Sequence, residues 1–332
     1  MNTRTTSPTQ LITTAVAASL LILTAAVGAL RVCELRTVAA PARAPQTVNV
    51  AGDESAERHL QSLLMRGSQL RDAGRYQEAR PLLDEALALA ENSFGSDSRE
   101  TAVALNQLGM LGKYDGHFDE AEAAYERALR ITENTVGLDN ELAASLFHNL
   151  GGLEHTRGRF AAGEPYARRS VEIRERLLGP DHPDTAADVA ALAALLDRQQ
   201  KYAEAEDLYR RALSVFERAY GPEHYDIAVN LNNLAAVYQA TGRGEQAEQL
   251  YLRALRMKEK LLGPDHPDVA MTMNNLAVFY KSQGRFAEAA KLYIRALATF
   301  ERTLEPGHPK LVTCRENYEK LLREMNEVVA KN

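Results

Sequence analysis

Apolar residues follow a helical rhythm through most of this chain, and one stretch shows it clearly. Leu231, Leu234 and Tyr238 are spaced at i, i+3 and i+7, which places them on one face of an α-helix. A glycine-containing run at 241–244 interrupts the rhythm, and a glycine–proline step at 263–264 ends the segment that follows. Between the two breaks lies a second apolar stripe, formed by Ala247, Leu250, Tyr251, Ala254 and Leu255. The pattern predicts two helices joined by a tight turn.

This two-helix pattern recurs at a fixed interval of 42 residues. The glycine of the tight turn, Gly242, has equivalents at Gly74, Gly116, Gly158, Gln200 and Gly284. The first alanine of the second stripe, Ala247, has equivalents at Ala79, Ala121, Gly163, Ala205 and Ala289. Six units follow one another without insertion or deletion, and such a fixed period is typical of stacked helical repeats.

The repeat pattern sets the domain boundaries. We assign residues 55–310 to six repeats of 42 residues and predict that residues 311–332 form a helix that caps the end of the stack. In the third unit, Gly163 replaces alanine and Pro165 lies early in the second helix, which predicts a local irregularity there. The residues predicted to cap the N-termini of the first helices are Asp184, Asp226 and Asp268.

Several residues of the fifth unit resemble the signature of the tetratricopeptide repeat, namely Leu234, Ala235, Tyr238, Gly242, Ala247, Tyr251 and Ala254. The usual period of that family is about 34 residues. The longer period seen here is similar to that of kinesin light chains and their bacterial relatives. The resemblance covers residues 57–310 and implies an all-α, right-handed solenoid of helix-turn-helix repeats.

The N-terminal part of the chain differs from the repeats. Residues 1–10 form a short polar tail, and residues 11–30 are uncharged and long enough to cross a hydrocarbon core of about 30 Å as a helix. Residues 31–54 are rich in Pro, Ala and polar residues and predict a flexible linker. We predict a single-pass membrane anchor at 11–30 with extracytoplasmic repeats, although the positive-inside rule alone favours the opposite orientation. The alternative is a cleaved signal, which would leave a secreted or periplasmic protein.

Composition and motifs argue against several functions. The formal net charge of −6 argues against a nucleic-acid-binding protein, because such proteins carry a basic stripe. The two cysteines, Cys33 and Cys314, form no metal-binding or redox motif, and no phosphate-binding loop or catalytic signature is present. We therefore predict no enzymatic activity, no cofactor and no metal site. A structural role in the loops between units is predicted for the recurring histidines His182, His224, His266 and His308.

The resemblance implies that the first helix of each unit lines a concave groove. Polar side chains opposite the apolar stripe of that helix then become candidate peptide contacts: Asn106, Gln107, His148, Asn149, Asn232, Asn233, Gln239, Asn274, Asn275 and Lys281. An asparagine amide both donates and accepts hydrogen bonds, as the backbone of an extended peptide requires. The alternative is that these amides bond to the neighbouring repeat and stiffen the stack.

Together these observations predict a non-catalytic scaffold or adaptor that binds an extended peptide or a partner protein in its groove. The predicted partners are a protein or peptide and, through the N-terminal segment, a membrane. Nucleic acid and small-molecule cofactors are not expected. The alternative function is a self-assembly module whose repeat surfaces drive oligomerisation without peptide binding.

Overall fold

The computed structural model describes residues 50–331, which are helical and contain no β-strand. They divide into two compact units, one ending at Pro180 and the other beginning at Asp181. The N-terminal unit contains α1 (Val50–Asp72), α2 (Tyr76–Phe94), α3 (Arg99–Asp115), α4 (Phe118–Val136), α5 (Glu141–Thr156) and α6 (Phe160–Leu178). The C-terminal unit contains α7 (Pro183–Arg198), α8 (Tyr202–Tyr220), α9 (Tyr225–Ala240), α10 (Gly244–Leu262), α11 (Pro267–Ser282), α12 (Phe286–Thr303) and α13 (Pro309–Lys331).

Residues 50–331 therefore form an all-α repeat solenoid, as the period predicts. Helix α1 begins within the stretch predicted as linker. The predicted tail and the predicted anchor or signal at 11–30 lie outside the described residues, as does most of the linker. None of the described helices is both long enough and apolar enough to cross a membrane.

Within each pair, the two helices pack together around a tight turn. The turn requires a left-handed backbone conformation, which glycine adopts without strain, and Gly242 has φ 77°. In the fourth pair the equivalent residue is Gln200, the one non-glycine residue of the described chain with positive φ, at 63°. Packing in the pairs also depends on small residues. Gly109 of α3 faces the buried Tyr125 of α4, and a Cβ on this glycine would lie 2.5 Å from the tyrosine Cε1.

Two local expectations prove wrong. The N-caps of α7, α9 and α11 are His182, His224 and His266, whose Nδ1 atoms accept hydrogen bonds from the backbone N–H groups of Asp184, Asp226 and Asp268. Each aspartate lies inside the first turn, where its N–H is one of the unpaired donors that a cap must satisfy. Helix α6 also runs unbroken through Pro165. The carbonyl that Pro165 leaves without an N–H partner belongs to the exposed Ala161, so water can satisfy it.

Successive repeats are also joined by ion pairs at recurring positions. The last turns of α6, α8, α10 and α12 each carry a basic residue that reaches an acidic residue in the loop between that pair and the preceding one. These ion pairs are Arg176–Asp139 (2.6 Å), Arg218–Asp181 (2.5 Å), Lys260–Glu223 and Arg302–Asp265 (2.7 Å). Their side chains are exposed, so each pair contributes little free energy.

Candidate functional site: the first-helix face

The candidate peptide contacts all lie on the first helices of their pairs, and the structure divides them by burial. We call this polar side of α3, α5, α7, α9 and α11 the first-helix face. The buried members are Asn106, Asn149, Asn232, Asn274 and Asn275. The partly exposed members are Gln107, His148, Asn233, Gln239 and Lys281. The buried members need a hydrogen-bond partner within the protein.

In the N-terminal unit, that partner is the neighbouring repeat. The Asn149 amide nitrogen of α5 donates a 2.9 Å hydrogen bond to Asn106 Oδ1 of α3. The two side chains are only 7% and 8% exposed. The structure therefore gives this pair the role stated as the alternative in the sequence analysis, a hydrogen bond between neighbouring repeats.

The C-terminal unit repeats the arrangement along three helices. Asn275 of α11 donates to Asn232 Oδ1 of α9 over 3.2 Å, and Asn317 of α13 donates to Asn274 Oδ1 of α11 over 3.1 Å. Within each of the first two helices, adjacent asparagines also bond, at 3.2 Å for Asn232 to Asn233 and 3.4 Å for Asn274 to Asn275. We call these inter-repeat bonds and the Asn149–Asn106 bond the asparagine ladder.

The partly exposed candidates border this ladder. Gln239 accepts a 3.2 Å hydrogen bond from the Tyr251 hydroxyl, and Lys281 pairs with Glu324 at 3.0 Å. Gln107 accepts a 2.6 Å bond from Arg71 of α1. These contacts fix the side chains while leaving part of each at the surface. A strip of fixed, partly exposed polar groups therefore lies along the first helices of each unit.

The burial of two charged side chains on this face, Arg71 and Lys113, is the feature that the pattern did not predict. Arg71, Lys113, His155, Asp197 and Lys281 occupy equivalent positions in different units, along with Gln239. Burial, together with the nearby charge of Arg71, lowers the pKa of Lys113 to about 8. Burial raises the pKa of Asp197 to about 6. The sequence signal was present, because a polar residue recurs at one helical position in every unit.

A second polar cluster lies at the first turns of α9, α11 and α13. The Tyr225 hydroxyl donates a 2.7 Å hydrogen bond to Asp268, and Lys310 lies 3.7 Å from the same carboxylate. Lys258 lies over the Tyr225 ring at 5.6 Å, and burial lowers its pKa to about 8. Because this carboxylate is shared by successive repeats, the cluster holds the N-terminal ends of α9, α11 and α13 together.

Comparison with known proteins identifies the family. The model of the tetratricopeptide repeat family matches residues 59–134, 142–218, 187–260, 226–293 and 268–328, which together exceed half of the chain. The chain belongs to the tetratricopeptide repeat family. Such repeats generally mediate protein–protein interaction and scaffolding.

Solved structures of similar fold include kinesin light chain-like tetratricopeptide proteins. The kinesin light chain repeats of Podosopora anserina are 21% identical, with a TM-score of 0.51 over 62% of this chain and 98% of that one. BtubC (BKLC) of P. vanneervenii is 23% identical, with a TM-score of 0.52 over 79% of this chain and 96% of that one. A chain of the APC/C hetero-tetramer Cut9–Hcn1 is 14% identical, with a TM-score of 0.57 over 82% and 45%. Comparison with curated proteins gives no match.

The tetratricopeptide scaffold brings no candidate metal ligands together in the described part of the chain. Residues 50–331 contain no group of three or more His, Cys, Asp or Glu side chains arranged to hold a metal ion. The recurring histidines act instead as helix caps, at hydrogen-bond distances of 3.1 to 3.3 Å. They recur along the sequence because each one caps the helix that follows its loop.

Proposed function

We propose that this tetratricopeptide protein is a non-catalytic scaffold that binds an extended segment of a partner protein along its first-helix face. The family supports a role in protein–protein interaction, and the polar strip supports this particular surface. A peptide backbone presents alternating N–H and C=O groups, which fixed amides at regular spacing can bond.

The observation that carries this proposal is the way the asparagine ladder holds its amides. Asn149 uses its amide nitrogen and Asn106 its carbonyl oxygen in their shared bond. The Asn149 oxygen and the Asn106 nitrogen take no part in that bond. Beside them stand the partly exposed Gln107 and His148. The ladder therefore fixes the orientation of amides before a partner arrives, which reduces the entropy lost on binding.

Capture of partners by the full-length, detergent-solubilised chain tests the proposal. Ala236 is partly exposed on α9, within the polar strip, so Ala236→Arg fills the surface without removing an existing hydrogen bond. The matched control is Ala219→Arg on the exposed side of the second helix α8, because the two substitutions make the same change in side chain and helix propensity. We expect Ala236→Arg to lose a direct partner that the parent and Ala219→Arg both retain. Equal capture by all three proteins would contradict the proposal.

Self-assembly is the competing function, and light scattering of the same proteins separates it from partner binding. A scaffold remains monomeric without its partner. Self-assembly through other repeat surfaces would be favoured by two results together. The parent would capture only copies of itself, and light scattering would show an oligomer that persists in Ala236→Arg.

We also propose that residues 11–30 tether the repeats to a membrane, with the repeats on the extracytoplasmic side. The proposal rests on the uncharged sequence of that segment. The full-length chain should remain with membranes after alkaline extraction. Protease should cleave the repeats when it is added to cells whose outer envelope is permeabilised and whose cytoplasmic membrane is intact. Release of a shortened chain into the soluble fraction would indicate a cleaved signal instead.

A further inference from the structure

Asp197, near the end of α7, carries a partly buried carboxylate that makes no hydrogen bond or ion pair with any residue between 50 and 331. Burial raises its pKa to about 6, although the charge of the adjacent Arg198 favours the ionised form. The equivalent residue of the sixth unit, Lys281, does have an ion-pair partner, Glu324, at 3.0 Å. Because burial of a carboxylate is costly unless a cation or a hydrogen-bond donor reaches it, Asp197 lacks a compensating group.

The hydroxyl groups near Asp197 already have other partners. Tyr209 of α8 and Tyr251 of α10 are close enough for the charge of Asp197 to raise their pKa values, in addition to the larger effect of burial. The Tyr209 hydroxyl is hydrogen-bonded to Asn233, and the Tyr251 hydroxyl donates to Gln239 over 3.2 Å. The carboxylate therefore lies among polar groups that are engaged elsewhere.

A strip of alanines leads along α7 to this carboxylate. Ala190, Ala194 and Asp197 are spaced at i, i+4 and i+7, which places them on one side of the helix, with Ala191 beside them. Ala190 and Ala191 are partly exposed, and Ala194 is 7% exposed. The residues equivalent to Ala190 and Ala191 in the preceding and following units are His148, Asn149, Asn232 and Asn233. Because alanine is smaller than these residues, α7 presents a low apolar strip about 10 Å long that ends at the carboxylate.

We propose that Asp197 and this alanine strip bind a lysine or arginine side chain of the partner's peptide on the first-helix face of the C-terminal unit. The long side chains of these residues pack their apolar stems on apolar surface while the charged group reaches a polar end. The stem would lie on the alanines, and the cationic group would reach Asp197. A metal ion fits less well, because residues 50–331 bring no group of three or more candidate metal ligands together.

This inference rests on the proposed peptide-binding function and names one side chain of the peptide. Selection of a random displayed peptide library on the full-length, detergent-solubilised chain tests both. We expect the selected peptides to be enriched in Lys or Arg at one position. Synthetic versions with glutamine at that position should bind the parent more weakly, and exchange of Lys for Arg then shows which cation the site prefers.

The variant Asp197→Asn should weaken binding of these peptides about tenfold to a hundredfold, because it removes a charge-assisted hydrogen bond. Asparagine has nearly the same shape as aspartate, and circular dichroism checks that the variant remains helical. The matched control is Asp207→Asn on the exposed side of α8, which removes the same charge from the same unit. Equal weakening by both variants would show only a general effect of negative charge and would overturn the site.

The pH dependence of binding gives a second readout. Affinity of the parent should rise between about pH 5 and pH 7, as Asp197 loses its proton, whereas Asp197→Asn should lack this rise. The other groups that face Asp197 keep their charge in this range. Arg198 stays protonated, and burial raises the pKa of Tyr202, Tyr209 and Tyr251.

The possible failures are distinguishable. Peptides that bind without basic residues, and equally well to Asp197→Asn, would support the proposed function but overturn the basic-residue site. If no peptide is selected, the peptide-binding function fails, and n-butylammonium, which carries the head and stem of lysine, tests the site alone. Its readout is the NMR resonance of Asp197 Cγ at about pH 6, identified by its loss in Asp197→Asn. A saturable shift supports the site. No shift, or an equal response to sodium or magnesium chloride, overturns it.

Discussion

Asn149 donates a 2.9 Å side-chain hydrogen bond to Asn106, 43 residues earlier in the chain, and thereby joins two successive first helices. Both side chains are buried, so loss of the bond leaves an amide without a partner in the interior. We expect Asn149→Ala to lower the free energy of unfolding by about 1–3 kcal/mol, even though alanine is the better helix former. Urea denaturation followed by circular dichroism measures the difference.

The control for this substitution is Asn134→Ala on the exposed side of α4, which gains the same helix propensity without breaking the ladder. It should be neutral or slightly stabilising. An equal loss of stability in both variants would show that the ladder bond contributes nothing specific.

Two glycines of the N-terminal unit should respond in opposite ways to alanine. A Cβ at Gly109 would lie 2.5 Å from Tyr125 Cε1, whereas at Gly152 the nearest atom is Lys113 Nζ, at 3.5 Å. We expect Gly109→Ala to destabilise the protein by about 1–3 kcal/mol through overpacking. Gly152→Ala should stabilise it by up to about 1 kcal/mol, because alanine favours the helix. Thermal unfolding of the two variants compares them directly, and a stable Gly109→Ala would mean that the tyrosine moves aside at little cost.

The apolar pattern predicts the helix pairs because the packing contacts between helices recur with the same period as the apolar residues. It does not predict the helix caps. Aspartate is a favoured capping residue, and only the observed backbone shows that His224 precedes the first turn and that Asp226 lies inside it. The bounds of α13 differ for a related reason, since the cap His308 allows the helix to begin at Pro309.

The candidate site is a similar case. Helical spacing correctly places Asn149 and Asn275 on the first helices. Burial depends on the size of the residues that other repeats pack against a side chain. The spacing of residues along one helix carries no information about those neighbours. The sequence therefore could not distinguish a buried ladder asparagine from a partly exposed one such as Asn233, or show that Lys113 is buried.

Replacement of Lys113 by Met should stabilise the ligand-free protein near neutral pH. Burial and Arg71 lower the pKa of Lys113 to about 8 in the folded state, while an unfolded lysine has a pKa of about 10.4. The unfolded state therefore binds the proton more tightly, so the unfolding free energy of the parent rises as the pH increases between these values. We expect Lys113→Met to gain about 3 kcal/mol at about pH 7 and to lose most of this advantage near pH 10. Denaturation at both pH values checks this expectation, and an advantage independent of pH would indicate better packing alone.

The histidine that precedes α13, His308, should lower the stability of the protein at acidic pH. His308 Nδ1 accepts the backbone N–H of Lys310 over 3.1 Å, and only a neutral ring can do so. Burial, with a smaller effect of the Lys310 charge, lowers the pKa of His308. This contribution to stability is present above the unfolded pKa of about 6.5 and is lost as the pH falls through the lower folded pKa.

His308→Asn keeps a capping side chain but removes the titrating group, so its unfolding midpoint should fall less than that of the parent between about pH 7.5 and pH 5. The other histidines and the carboxylates are the same in both proteins, so their effects cancel in the comparison. If parent and variant lose stability in parallel, the His308 cap has no part in the acid sensitivity of the protein.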